Sequence, residues 1–207
     1  SPGIALSEPL VRQALERGVP ALGDVELFAR AKDAASAVLA ITGSNGKSTV
    51  TTMAGSMCGA AGARTVVAGN IGLPVLDALD ATAPPQIYVL ELSSFQLETT
   101  RSLKPAAATV LNVSEDHLDR YDGMAAYAAA KARIFAGEGT QVLNRDDAWS
   151  MSMRLPGRSI VTLGLGAPNS ADQWGLASAA GGTFLVHGER RVLPVAELGV
   201  PGLHNAA

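Results

Sequence analysis

The 207-residue sequence has a single cysteine, no run of lysine or arginine, and no apolar stretch approaching the roughly 18 residues of a membrane span. Each absence removes a class of protein. The lone Cys58, in what reads as a helix, cannot build a disulfide framework and fits a reducing compartment. Sixteen basic against 19 acidic residues, for a net charge of −3, leave no electrostatic footprint for a phosphate-backbone binder, so nucleic acid is not an expected partner. No charged n-region precedes an apolar h-region, so neither a signal peptide nor a membrane partner is expected, and the default is a soluble, cytoplasmic protein. What the chain does have is 47% hydrophobic residues, enough for a substantial core. It opens at Ser1 without Met and stops at "GLHNAA" after a Pro-Gly corner, which suggests a piece of a longer product.

From Ala37 onward, short β-branched runs alternate with alanine-rich, helix-like stretches. "AVLAIT" precedes 47–61, "RTVVA" precedes 73–81, "QIYVLEL" precedes about 95–103, "AAATVLNV" precedes 122–136, and "TQVLN" precedes 146–153. This βαβα pattern predicts an α/β fold, a mostly parallel sheet with helices on both faces. Continuous hydrophobicity in "IYVLEL" and "ATVLNV" fits strands buried on both sides. After Arg158 the texture changes to "SIVTLG", a Gly/Ser/Ala-rich loop, "GTFLVHG" and "RRVLPV", which predicts a small antiparallel β appendage. Residues 1–35, with a helix around 8–17, are too few to bury a core of their own and read as the tail of a preceding domain.

The stretch "LAITGSNGKSTVTT" carries the strongest chemical signal. A strand ending at Thr42, the loop Gly43, Ser44, Asn45, Gly46, and a helix beginning near Lys47 present backbone N–H groups to one spot, the arrangement that binds phosphate. Lys47, solvent-facing at the helix start, would neutralise the β/γ-phosphates of a nucleotide triphosphate; Ser48, followed by Thr49, would ligate the accompanying Mg²⁺. The full spacing G-x-x-x-x-G-K-[ST] requires glycine at 41, where this sequence has Ile41, so the loop is a shortened variant. A plain Gly-rich βα turn is the alternative.

In an open α/β sheet the ligand crevice lies at the carboxyl ends of the strands. Glu91 ends one strand and can face the nucleotide's metal, or simply cap the helix that follows. Glu115, Asp116 and His117 leave another strand at the same rim. Imidazole suits transition metals better than Mg²⁺, so metal, substrate and structural roles stay open for His117, and Asp116 or Asp119 can act as helix caps. Asn70, in "GNIG", is either a turn residue or an amide reaching substrate or metal. Nothing local to Lys131 suggests more than a solvated helix charge.

Taken together, "TGSNGKST", "GNIGLP", "YVLELSSFQLE", "LNVSEDHLDRY" and "AAKARIF" resemble the Mur ligases, over residues 1–207, and the shortened phosphate loop is that family's form. "ELSSFQLE" points to the D-glutamate-adding branch. The resemblance implies a P-loop NTPase-like central ATP-binding domain over 36–200. It implies the tail and linker of a UDP-binding domain over 1–35, and over 201–207 the start of a linker to a C-terminal domain. The implied activity is ATP-dependent ligation of D-glutamate to UDP-N-acetylmuramoyl-L-alanine through an acyl phosphate, in peptidoglycan precursor synthesis, by a monomer.

The same resemblance implies roles by residue. ATP is held by Gly43 through Thr49, the catalytic set is Lys47, His117 and Lys131, and Ser1, Asn70 and His117 touch the muramoyl substrate. Two Mg²⁺ sites follow, one from Ser48 and Glu91 and one from His117 and Lys131, the latter lysine carbamylated by CO₂. Carbamylation needs the neutral amine, so Lys131 is expected where nearby cations or desolvation lower its pKa. Closing and uridine-binding regions are missing from this sequence, so the fragment alone is expected to be inactive. The competing reading is a nucleotide-binding switch or partner-binding P-loop module without ligase chemistry, which has no need of "EDHLDRY" or "AAKARIF".

Overall fold

A computed structural model describes residues 3–198. Residues up to Gly139 form one compact unit and those from Thr140 a second. The first begins with α1 (Pro9–Glu16), which buries none of its residues, and α2 (Asp24–Ala31). It continues through β1 (Ala37–Thr42), α3 (Lys47–Ala60), β2 (Thr65–Gly69), β3 (Ile87–Glu91), α4 (Ser94–Glu98), β4 (Ala107–Val110) and α5 (Gly123–Ala132). Its strands lie in the order β2-β3-β1-β4, and the registers given for β2–β3, β3–β1 and β1–β4 are parallel. The chain leaves β1 for β2, returns to β3 between them, then crosses to β4 on the far side. β1 is therefore the switch point, and its carboxyl end opens a crevice.

Consecutive residues Tyr88, Val89, Leu90 and Glu91 are all buried, so β3 is covered on both faces, as its unbroken hydrophobicity predicts. α3 covers β1, β2 and β3. Val25 and Phe28 of α2 are fully buried, with Phe28 edge-on to Tyr88 at 4.9 Å between ring centroids. The segment 24–31, read from sequence as part of a tail, thus contributes to the core of the first unit.

Two helices are shorter than the sequence suggests. The stretch 73–81 forms only a 3₁₀ turn, Asp77–Asp80; Pro74 biases Leu73 away from helical geometry, which accounts for the loss of the expected helix start. α4 stops at Glu98 rather than near 103, since side chains take the backbone groups a longer helix would use. Arg133 donates to Leu97 O (2.7 Å) and Thr100 O (2.9 Å). Glu26 accepts from the N–H groups of Arg101 (2.7 Å) and Ser102 (2.8 Å).

The second unit holds β5 (Thr140–Asn144), α6 (Ala148–Ser152), β6 (Ile160–Leu163), β7 (Trp174–Ala179), β8 (Gly182–His187) and β9 (Arg190–Pro194). "SIVTLG" does not belong to the antiparallel appendage: β6 pairs in parallel with β5. The appendage is instead β7-β8-β9, antiparallel throughout, and its first strand comes from the small-residue stretch read as loop. "WGLASA" has weak strand propensity, and its pairing with β8 overrides it. Among the described residues no helix is long and apolar enough to cross a membrane.

Glu26 is fully buried and also accepts from Ser102 Oγ (2.7 Å) and Arg30 Nε (2.8 Å). Burial alone would push its carboxyl up, but these hydrogen bonds outweigh that and hold it at about 2, below the ordinary 4.5. A carboxylate whose folded pKa is depressed contributes stability above its unfolded pKa and loses it on acidification. The Glu26 contribution, on the order of 3 kcal/mol, is therefore expected to vanish between about pH 4.5 and 2. Glu26→Gln should lower the urea midpoint at pH 7 and flatten the acid side of the stability profile across that window; an unchanged profile would contradict the assignment.

Candidate functional site

β1 delivers the chain to the crevice with Ile41 buried in the strand, which is why no glycine is needed there. Gly46 adopts φ +80° as N-cap of α3 and offers no side-chain cap. The N–H groups of Gly46, Lys47, Ser48 and Thr49 have no hydrogen-bond partner among the described residues, the four open donors of a helix start. With the dipole of a 14-residue helix behind them, they make an arrangement that suits an anion. Lys47 is half-buried rather than solvent-facing: its Nζ folds back to donate to Gly43 O (3.1 Å) and Ser44 O (3.0 Å).

Glu91 is 2% exposed at the end of β3. Its Oε2 accepts from Ser48 Oγ (2.7 Å) and its Oε1 from Asn70 Nδ2 (3.0 Å), so three segments meet on one carboxylate. The exit of β2 comes this close because Gly69, at φ +112°, has no Cβ; one built there would sit 2.3 Å from Glu91 O. Asn70 N then donates to that same oxygen at 2.8 Å. Ser48 with Glu91 gives the hydroxyl-carboxylate pair that suits a hard divalent cation beside phosphate.

A cavity of about 380 Å³ adjoins this pair, lined by Lys47, Asn70, Ser93, Ser94, Phe95, His117, Tyr127 and Lys131, with Gly3 at its edge. Lys131 is 2% exposed; its Nζ donates to Gly43 O (2.8 Å) and lies 4.4 Å from the centre of the Tyr127 ring. Burial, then the nearby Lys47 ammonium, pull it down to about 7 from the ordinary 10.5. His117 is the non-glycine residue with positive φ (+54°) among those described. Its carbonyl closes a turn by accepting from Arg120 N and Tyr121 N, and its ring lies 4.6 Å from that of Phe95. Arg120 sits on Phe95 as well, 4.0 Å from the ring centre, while pairing with Glu98 at 2.6 Å.

The loop does not stand alone. Asn112, just beyond β4, accepts through Oδ1 from Ser44 N (3.1 Å) and Asn45 N (2.9 Å), and donates from Nδ2 to Asn45 O (3.1 Å). Ser44 Oγ donates to Ser114 O (3.1 Å), accepts from Ser114 N (3.0 Å) and lies 3.3 Å from Tyr127 OH. Of the loop amides, those of Ser44 and Asn45 are thus engaged within the chain, whereas the helix-start amides are open.

Lys47, Ser48, Asn70, Glu91, His117 and Lys131, expected from sequence at one rim, line or adjoin the same crevice. Ser1 lies outside the described residues. Asn112, Ser114, Phe95 and Tyr127 escaped the sequence reading; the one available signal was the position of "LNVS" at a strand end. No group of three or more His, Cys, Asp or Glu poised for a metal is found among the described residues.

The model of the Mur ligase middle domain matches residues 41–207. The UDP-N-acetylmuramoylalanine--D-glutamate ligase of Methylobacillus flagellatus is 60% identical over 207 residues, covering all of this chain and 45% of the relative. The same-named protein of Thiobacillus denitrificans is 57% identical, covering all of this chain and 47% of the relative. The chain thus spans about half the length of the curated relatives it matches. Among solved structures, the UDP-N-acetylmuramate:L-alanyl-gamma-D-glutamyl-meso-diaminopimelate ligase of Neisseria meningitides superposes with a TM-score of 0.65 at 17% identity, covering 98% of this chain and 68% of that one. A folylpolyglutamate synthase/dihydrofolate synthase from Yersinia pestis, complexed with AMPPNP and a Mn ion, gives 0.56 at 18% identity, covering 99% and 62%. At these identities the likeness is one of fold.

Gly69→Ala is expected to cost on the order of 2–4 kcal/mol in urea unfolding, because the added methyl meets the Glu91 carbonyl and the backbone is left-handed there. Stability equal to the parent would mean that the β2 exit does not need this close approach.

Proposed function

The chain belongs to the Mur ligase family, and on that premise we propose that it is the nucleotide-holding part of an ATP-dependent ligase joining D-glutamate to UDP-N-acetylmuramoyl-L-alanine in cytoplasmic peptidoglycan precursor synthesis. The observation that carries this reading is the meeting of four open amides, Lys47 and the Ser48–Glu91 pair at the carboxyl ends of parallel strands, beside a cavity holding His117 and Lys131. A switch needs the first half of that arrangement only.

A carboxylate is a poor acyl donor until one oxygen becomes a phosphate leaving group. The γ-phosphoryl of ATP goes to the alanyl carboxylate as the β,γ P–O bond breaks and ADP leaves; the neutral amine of D-glutamate then attacks the carbonyl carbon, phosphate departs with the C–O bond electrons, and the amine gives up one proton as the amide forms. Divalent cations, when bound, supply the positive charge that lets two anions approach. The chain's own residues do the rest. The amides of Gly46 to Thr49 and the Lys47 ammonium hold phosphate oxygens, and Ser48 and Glu91 offer oxygen ligands to a first Mg²⁺. Asn70, whose Nδ2 is tied to Glu91, keeps its Oδ1 for substrate or metal. His117, with Lys131 as its carbamate, would hold a second Mg²⁺.

The carbamate forms when the neutral Lys131 amine adds to CO₂ and releases a proton, turning a cation into an oxygen donor. A buried lysine held at about 7 supplies that amine at neutral pH. The missing half of the relatives' length is expected to provide the amine-side contacts and exclude water.

In the full-length protein, phosphate release from ATP should require UDP-N-acetylmuramoyl-L-alanine and D-glutamate together, with amide product in equal amount. Phosphate release indifferent to both would favour the switch. Lys131→Ala should lose activity by on the order of 10²-fold or more and regain part of it with added short carboxylic acids, while CO₂-depleted parent should recover on adding bicarbonate. Normal turnover by the alanine variant would remove the carbamate from the mechanism.

A further inference from the structure

The phosphate loop must keep its helix-start donors aimed outward before any ligand is present, yet it is a short stretch containing Gly43 and Gly46 with no side-chain cap at the helix. What fixes it comes from the other side of β1. The carboxamide of Asn112 spans the loop, taking the N–H groups of Ser44 and Asn45 on one atom and giving a hydrogen to Asn45 O from the other. The backbone carbonyl of Asn112 already takes the Ser44 N–H at 3.0 Å, so what the carboxamide adds is a partner for the Asn45 amide, which would otherwise be open to an anion or solvent, and a fixed orientation of the peptide preceding Gly46.

The close approach is built into the sequence. A Cβ at Gly43 would lie 3.1 Å from Leu111 Cβ, 3.4 Å from Asn112 N and 3.5 Å from Asn112 O, so glycine lets the β4 exit come near enough for the carboxamide to reach. Leu111 N continues the β1–β4 ladder to Thr42 O (2.9 Å), so Asn112 is carried by the sheet itself rather than by a free loop. Asn45 Nδ2 adds a donor to Ser114 Oγ at 3.2 Å.

We propose that Asn112 is a positioning residue for nucleotide binding: it presets the phosphate loop in its ligand-ready shape while touching no ligand itself. The inference rests on the reading of the loop as an ATP site. Removing the carboxamide leaves the loop to be ordered by the nucleotide, which weakens binding without altering what happens once it is bound.

The test uses full-length protein, ATP with Mg²⁺, and calorimetry beside hydrogen–deuterium exchange of the 43–49 segment. Asn112→Ala should weaken ATP binding about tenfold or more, raise KM for ATP in step, leave kcat at saturating ATP within about threefold, and speed amide exchange in the ligand-free loop. A folded Asn112→Ala that binds ATP like the parent overturns the proposal, as does a fall in kcat with KM unchanged. If that variant does not fold, Asn112→Asp decides: it keeps the shape and an acceptor, but sets a second oxygen against Asn45 O. Weaker ATP binding with faster loop exchange supports the proposal, and parent-like binding overturns it. Lys47→Ala separates the two levels. Loss of ATP binding there with parent-like binding in Asn112→Ala defeats only the positioning role. A parent that does not bind ATP, or a Lys47→Ala that binds it equally well, defeats the nucleotide reading and this inference with it.

Discussion

Everything at the rim is referred to one buried carboxylate. Glu91 lies at the end of a central strand, nearly without solvent, and a carboxylate buried there needs hydrogen-bond donors. The donors it has are Ser48, from the first turn of α3, and Asn70, from the exit of β2. Satisfying one charge therefore fixes the distance between a helix start and two strand ends. The glycine at 69 follows from the same requirement, since any side chain there would hold the β2 exit away from the carbonyl of Glu91.

On the other side of β1 the charge has the opposite sign. Lys131 and Lys47 both donate to the carbonyl oxygen of Gly43, so two ammonium groups share one neutral acceptor. Burial first, and then the Lys47 ammonium, lower the basicity of Lys131. Basic pressure on one flank of the loop and a carboxylate on the other give the crevice a polarity that a phosphate–cation pair can match with both signs. The His117 turn, held in a left-handed conformation of the kind that costs about 1–3 kcal/mol, keeps an imidazole at this junction and is braced from below by Phe95 and Arg120.

The parallel strands and the phosphate loop were legible because their signals are local: unbroken β-branched runs, and glycines, lysine and hydroxyls in fixed order. Glu91 and His117 were reachable by adding one topological rule, that strand ends converge. The lowered basicity of Lys131 was foreseen only through a resemblance, as nothing around "AAKARIF" announces burial. Glu26 and Asn112 were illegible for a physical reason. Each acts on backbone groups far away in sequence, Glu26 on Arg101 and Ser102 and Asn112 on Ser44 and Asn45, and a backbone amide carries no letter of its own. The 73–81 segment misled because alanine and leucine content outweighed the one proline that governs its start. "WGLASA" misled because its strand exists only through its partner.

The resting posture of Lys47 has a kinetic side. With its ammonium on the carbonyls of Gly43 and Ser44, it already has two oxygen partners. An arriving anion does not neutralise a bare cation but displaces two backbone oxygens from it, an exchange of counter-groups in which bonds are given up as others are gained. Net affinity from this residue is smaller than its charge suggests, and the displaced carbonyls stand ready to take the ammonium back. On the proposed reading of the loop, an anion would leave with the help of an internal competitor that never has to diffuse in.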